Sequence, residues 1–333
     1  MKKFVKIIAS TLLVGALLTG CASGGAGKTG EGNGSFEPKR EVEFVVPSSA
    51  GGGSDLNARI ISEIAFKEGF TPKNFMVTNM PGGSGGVAFA DVYSKKGNNE
   101  TLMILHNGQI MSTIVNESPV TSDMLTYLPV VAFDNLLIVT RADSEYQDIE
   151  ALLEAAKTPD KVKVGGSQRG NTDHLAFELM NKYAEVEASY VQFDGSGDVL
   201  GALLGGHIDA AICNPSDTLG QVQAGEVIPL AVFSQERIGK EFEDAPTFAE
   251  LGYEGIEIDA VRAIAGPPEM SAEAIAFYDE VIRKVTETDQ WKNEYLEPNN
   301  LEGVYMTSAE AKEFFEKEIE KYKEIFTEVG VIK

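Results

Sequence analysis

From residue 41 onward, short unbroken apolar runs alternate with longer stretches in which apolar residues recur every three or four positions. EVEFVVP, FMVTN and TLMILHN read as buried strands, since a strand covered on both faces carries apolar side chains along its whole length. Helical patterns lie between them. Leu56, Ile60, Ile61 and Ile64 share one face after the first run, and GVAFADVYSKK follows the second. Residues 128–142, LPVVAFDNLLIVTRA, form two strands broken at Asp134 and Asn135. DIEALLEAAKT is helical, and the alternation then starts again. VKVGGSQRGNTDHLAFELMNKYA is a strand, a polar loop and a helix with Leu175, Leu179 and Met180 on one face. ASYVQFDGSGDVLGALLGGHIDAAIC is strand, loop, helix and strand; Leu203 and Leu204 end its helix, with Gly205 or Gly206 as the C-terminal cap. VIPLAVFS is a further buried strand. The tail holds two helices, PPEMSAEAIAFYDEVIRKV and TSAEAKEFFEKEIEKYKEIF; the second has a Thr307/Glu310 capping box and a Phe315, Ile319, Tyr322, Phe326 stripe. This alternation predicts an α/β chain with largely parallel sheets and crossover helices, in two lobes of similar size. No repeat at a solenoid period occurs.

Composition changes this picture at the start of the chain. Over all 333 residues it is ordinary globular material, 43% hydrophobic and 24% charged, long enough for two lobes. Residues 1–20 differ: Lys2, Lys3 and Lys6 precede an apolar stretch over residues 7–18, a secretory signal too short to span a membrane stably. It ends in L-T-G-C, which resembles the lipobox of bacterial lipoproteins, in which the Cys, here Cys21, is acylated and becomes the new N-terminus. Residues 21–41 are rich in Gly and Ser without apolar periodicity, a flexible tether. GAGKT within it is not a phosphate-binding loop, because Ala22 stands where that motif needs its first Gly and no strand precedes it. With Cys21 lipidated, Cys213 has no partner and reads as a buried small hydrophobe. The formal charge of −23 argues against nucleic acid and against adhesion to anionic lipid by charge alone.

The candidate chemistry lies in two glycine-rich helix starts, AGGGSD (residues 50–55) and PGGSGG (residues 81–86). Glycines admit close approach to the backbone, and free N–H groups with the helix dipole favour an anion there, by about 0.3–1 kcal/mol per terminus. Ser54 or Asp55 caps the first helix. A turn needs one or two glycines; the excess points to close approach by a ligand or another segment. Two such starts in one cleft would hold a carboxylate without Lys or Arg. GGSGG also matches the nucleophile elbow, so a serine esterase using Ser84 is an alternative, but the only histidines are His106, His174 and His207. Neither loop spells the dinucleotide fingerprint, and metal-ligand spacing is absent.

VVPSSAGGGSDLNARIISE, VTNMPGGSGGVAFADV, GGSQRGNTDHLAFELM and LLGGHIDAAI, followed in order by APTFAELGYEG and AIAGPPEMSAEAI, resemble the signature blocks of the tripartite tricarboxylate transporter receptors, also called Bug proteins. The resemblance runs from about residue 42 to the C-terminus. It implies a two-lobed periplasmic-binding-protein-like fold with a ligand cleft between the lobes, residues 42–140 plus 263–333 forming lobe 1 and residues 141–262 lobe 2. It further implies a non-enzymatic receptor without cofactor or metal. Such a receptor is extracytoplasmic, here lipid-anchored through Cys21 to the outer face of the cytoplasmic membrane. It acts as a monomer, binds a small carboxylate and hands it to a permease of two integral subunits. The same fold also serves as a ligand sensor. The ligand-binding residues carried over are Ser49, Gly51, Gly52, Gly53, Ser54 and Asp55 in the first loop, Asn79 before the second, and Gly82, Gly83, Ser84 and Gly85 within it. His106 and Asn107 follow the third strand. The second lobe contributes Ser167, Asn171, Thr172, His174, Asp194, Gly195 and Ser196. His174 either faces the cleft or simply packs.

Two departures from the family pattern bear on the ligand. Relatives have Tyr, then Lys or Arg, then Gly where this chain has Phe193, Asp194 and Gly195. Arg262 stands near a position that relatives fill with an aromatic residue; it either reaches a second carboxylate or pairs with Asp259, the surface pair being the preferred reading. These changes favour a ligand with an amino or other donor group over a simple citrate-like one.

Overall fold

The computed structural model describes residues 35–333 apart from Gln168, Asp194 and Asp259. The signal-like start, Cys21 and residues 22–34 lie outside the described residues. The chain is already tied down at Phe36, whose ring meets Phe277 edge-on at 5.5 Å and lies 6.0 Å from Tyr278. Lys39 N–H donates to Glu100 at 2.8 Å. The last residues of the expected tether therefore belong to the folded body, because an aromatic side chain among the glycines and serines finds an apolar seat.

The elements begin with β1 (Val42–Val46), α1 (Gly53–Lys67), β2 (Phe75–Asn79), α2 (Gly86–Ser94), β3 (Thr101–His106), α3 (Asn107–Val115) and β4 (Thr126–Phe133). They continue through β5 (Leu137–Arg141), α4 (Ile149–Ala156), β6 (Lys163–Ser167), α5 (Thr172–Tyr183), β7 (Ser189–Phe193), α6 (Ser196–Leu204), β8 (Ala210–Cys213), α7 (Pro215–Gln223) and β9 (Val227–Val232). Last come β10 (Val261–Gly266), α8 (Ala272–Glu287), β11 (Glu302–Met306) and α9 (Ser308–Glu328). They form two sheets, β11-β4-β10-β3-β1-β2 and β7-β6-β8-β5-β9.

Each sheet has a parallel part, β2-β1-β3 in one and β7-β6-β8 in the other, built from strand–helix–strand crossovers. Beside each part runs one antiparallel strand that has just arrived from the other lobe, β10 on β3 and β5 on β8. The sheets are thus mixed rather than largely parallel. The reason is topological: a strand that enters at the edge where the parallel strands end must run against them. Sheet membership puts the passages between lobes at residues 134–136 and between β9 and β10, just before the 140 and 262 expected from sequence. β5 lies in the second sheet and β10 in the first.

Register shows that both passages occur at the carboxyl ends of the parallel strands. Leu137 pairs with Cys213 at the end of β8, and Arg262 with His106 at the end of β3. Six strand-to-helix junctions, three per lobe, therefore open onto one seam, where α/β proteins gather their ligands.

The core lies on both faces of both sheets. Phe44, Phe75, Ile61 and Tyr278 join α1 and α8 to the first sheet, and Val199, Leu203 and Ile212 are buried around the second. α9 serves both lobes: Ala311, Phe315 and Ile319 enter the first-lobe core, while Tyr322, Ile325 and Phe326 enter the second. α3 divides likewise, Ile110 to one side and Met111 to the other.

Candidate functional site

The first glycine loop is fixed by its own acid. The Asp55 carboxylate accepts from Gly51 N–H at 2.9 Å, Arg59 Nε at 2.9 Å and Asn79 Nδ2 at 3.0 Å. Asn79 Nδ2 also reaches Ser48 O at 3.2 Å. The Arg59 hydrogen bond, helped by the backbone and Asn79, holds the Asp55 pKa down to about 2. Asp55 and Asn79 thus spend their polar atoms on the loop. Gly51, with φ +86, makes the turn, and Ser49, Gly52 and Gly53 stay exposed.

Gly53 begins α1 for a different reason. A Cβ there would lie 2.8 Å from Arg262 Nη1 and 2.9 Å from Nη2, so only glycine lets the guanidinium sit over the helix start. Arg262 pairs with Asp134 at 2.6 Å and donates to Tyr295 Oη at 3.2 Å. Asp259, the partner preferred from sequence, lies outside the described residues; β10 runs inside the sheet, between β3 and β4, and brings Arg262 to the seam. Its side chain is 12% exposed. Among the described residues, Arg262 Nε and Asp134 Oδ1 are buried without a hydrogen-bond partner. A cation over a helix N-terminus opposes the dipole, an arrangement that an anion between the two relieves.

His106 ends β3 opposite Arg262, and its Nε2 lies 3.0 Å from Ser54 Oγ. Burial and the charge of Arg262 push its pKa down to about 4, so the imidazole is neutral at pH 7. Asn107 Oδ1 accepts from Val261 N–H at 2.8 Å, and its Nδ2 donates to Tyr322 Oη. It ties β10 and α9 to the start of α3.

The second glycine loop takes positive φ at Gly82, Gly83, Ser84 and Gly85 in succession. It lies against the first loop and α3, with Pro47 and Gln109 less than 4 Å from where a Gly85 Cβ would stand. Ser84 is exposed. The three histidines are placed elsewhere: His106 on Ser54, His207 exposed beside Gly205, and His174 inside the second lobe. This arrangement gives no support to the esterase alternative.

In the second lobe, Asp173 Oδ2 accepts from Ser167 N–H at 2.8 Å and Ser167 Oγ at 2.6 Å. Asn171 caps α5 through His174 N–H at 3.1 Å and bonds Ser167 Oγ at 2.9 Å. Thr172 Oγ1 lies 3.9 Å from where a Cβ on Gly108 would stand, so the starts of α5 and α3 meet across the seam. His174 packs. Its Nδ1 accepts from Gly170 N–H at 3.1 Å, its Nε2 lies 3.1 Å from Glu178, and its ring faces Tyr190 and Phe326. Gly195 caps α6, whose first residue Ser196 bonds Asp217. Asp194 lies outside the described residues.

Three carboxylates at the seam carry no role in the sequence reading: Asp134, Asp173 and Asp217. Burial raises Asp173 to about 6, with Asp217 adding to the shift, and burial raises Asp217 as well. Asp217 is close enough to Arg262 and Asp134 to feel both. Asn214 Nδ2 joins the second lobe to the passage, reaching the carbonyls of Asp134 and Asn135 at 3.3 and 3.2 Å. The signal for Asp217 was its place in CNPSD, directly after a strand and within the first turn of a helix. Asp134 was visible as a charge inside an apolar run.

The sequence profile of the family described as "Tripartite tricarboxylate transporter family receptor" matches residues 73–331. A protein of Pseudomonas sp. strain P51, from the tcbD–tcbE intergenic region, is 31% identical over 227 residues, 66% of each chain. A TctC solute-binding protein from Polaromonas, solved without ligand, superposes with a TM-score of 0.76 at 27% identity, covering 88% of this chain and all of that one. Rpa4515 of R. palustris, solved with adipate, gives 0.74 at 24% identity over 88% of this chain and 98% of its own.

Proposed function

Since the chain belongs to the tripartite tricarboxylate transporter receptor family, we propose that it captures a small carboxylate at the seam between its lobes and delivers it to a membrane permease. The observation that carries this reading is the guanidinium of Arg262 over the glycine start of α1, two features that each favour an anion and that a ligand carboxylate would engage together. Support also comes from the neutral His106 and Ser54 beside them, which offer polar contacts without adding charge. Binding would draw together lobes joined by two chain passages and by α9, shifting an open–closed population toward the closed state. Lipid on Cys21 would hold the protein outside the cytoplasmic membrane; among the described residues no helix is long and apolar enough to cross one.

Thermal unfolding of the purified protein against mono-, di- and tricarboxylates and amino acids tests this, with chromogenic ester turnover followed in parallel. A ligand at a hundred times its Kd stabilises by about 2.7 kcal/mol, and a raised Tm with at least one carboxylate and no turnover is expected. No shift with any carboxylate, together with hydrolysis lost in Ser84→Ala, would overturn the reading.

A further inference from the structure

The receptor reading names a carboxylate but leaves the rest of the ligand open, and the charges at the seam constrain it. Among the described residues the largely buried cation there is Arg262, paired with Asp134 and close to Asp217, with Asp173 a third acid near Asp217. Asp55 is matched by Arg59 at the rim, and Arg169 is exposed. A dicarboxylate with one end at the start of α1 would bring its other end toward like charges in a poorly solvated place. The Arg262–Asp134 pair adds a second, independent feature. It uses one donor and one acceptor on each other, leaving Nε of the arginine and Oδ1 of the aspartate buried and unpartnered among the described residues. A donor and an acceptor side by side suit a molecule carrying the opposite pair.

Resting on the receptor reading, we propose that the ligand is a carboxylate that also bears a protonated amine, an amino acid or close analogue, with its carboxylate at Gly53 and Arg262 and its ammonium group facing Asp134 and Asp217. The ammonium supplies the positive charge that the acids lack, and its three N–H groups meet carboxylate oxygens that a simple di- or tricarboxylate would repel. The same acids then disfavour the analogue without the amine, which makes Asp217 a specificity determinant.

Calorimetric titration with matched pairs tests this: L-aspartate against succinate, L-glutamate against glutarate, L-leucine against 4-methylpentanoate, and L-phenylalanine against 3-phenylpropanoate. At least one amino member is expected to bind 10-fold or more tighter than its partner, about 1.4 kcal/mol. Asp217→Asn, close in shape, is expected to shrink that ratio 10-fold, by weakening the amine-bearing member and relieving the penalty on the amine-free one. Tighter binding of the amine-free member in every pair that binds would overturn the inference and leave the receptor reading standing, as would a ratio unmoved in a folded Asp217→Asn. Binding of none of these acids or of any other carboxylate would remove both.

Discussion

Gly53 and Arg262 carry the most information of any two residues in the chain. Gly53→Ala places a methyl group within 3 Å of the guanidinium, at a helix start whose backbone tolerates alanine. A Tm within about 2 °C of wild type and an affinity at least 10-fold weaker are expected, read by thermal unfolding and calorimetry. Arg262→Ala strands Asp134, and a loss of about 3 kcal/mol is expected; the double variant with Asp134→Ala should recover part of it, which a denaturant double-mutant cycle measures. Titration adds two opposed pH effects. Asp173, raised to about 6, favours its protonated form in the fold, so its contribution to stability is full below about pH 4 and lost as pH rises through 6. Asp173→Asn should flatten the stability profile over that interval. Asp55, held near 2, contributes above pH 4 and loses its contribution as pH falls through 2. At this scale the sequence was half legible. The surplus of glycine at residues 51–53 signalled close approach by a ligand or another segment, but the segment, Arg262, lies more than two hundred residues away, and only sheet register brings it there. The sequence leaves His174 open between facing the cleft and packing; its partners Glu178, Tyr190 and Phe326 were not deducible from spacing.

The elements themselves were largely visible, since strands buried on both faces write continuous apolar runs and the helices keep their 3.6-residue stripes. What the periodicity lacked was direction and partner. VRAIAG is not read as a strand from sequence; as β10 it runs antiparallel between β3 and β4. The stripe of α9 was correct residue by residue, while its division between two cores depends on where the lobes end. Asn107 joins these two elements, accepting from Val261 and donating to Tyr322. Asn107→Ala leaves a buried N–H without its acceptor, so a loss of about 1–3 kcal/mol is expected in urea unfolding. Ligand affinity should change less than about 3-fold, whereas a direct ligand contact would lose 10-fold or more with little effect on stability.

The whole molecule is two α/β lobes that present the carboxyl ends of their parallel strands to one seam, joined by two chain passages and straddled by α9. Its net charge of −23 keeps the surface acidic, so attraction for an anion must come from local groups: helix starts and the largely buried Arg262. That separation between an acidic exterior and a locally anion-seeking seam is the central claim, and titration calorimetry of the wild type and Arg262→Ala against the same carboxylates and amino acids tests it most directly. Saturable one-to-one binding of at least one carboxylate-bearing compound by the wild type, weakened 100-fold or more in a folded Arg262→Ala, is the expected result. Equal affinity in both proteins, or no binding by the wild type, would contradict it.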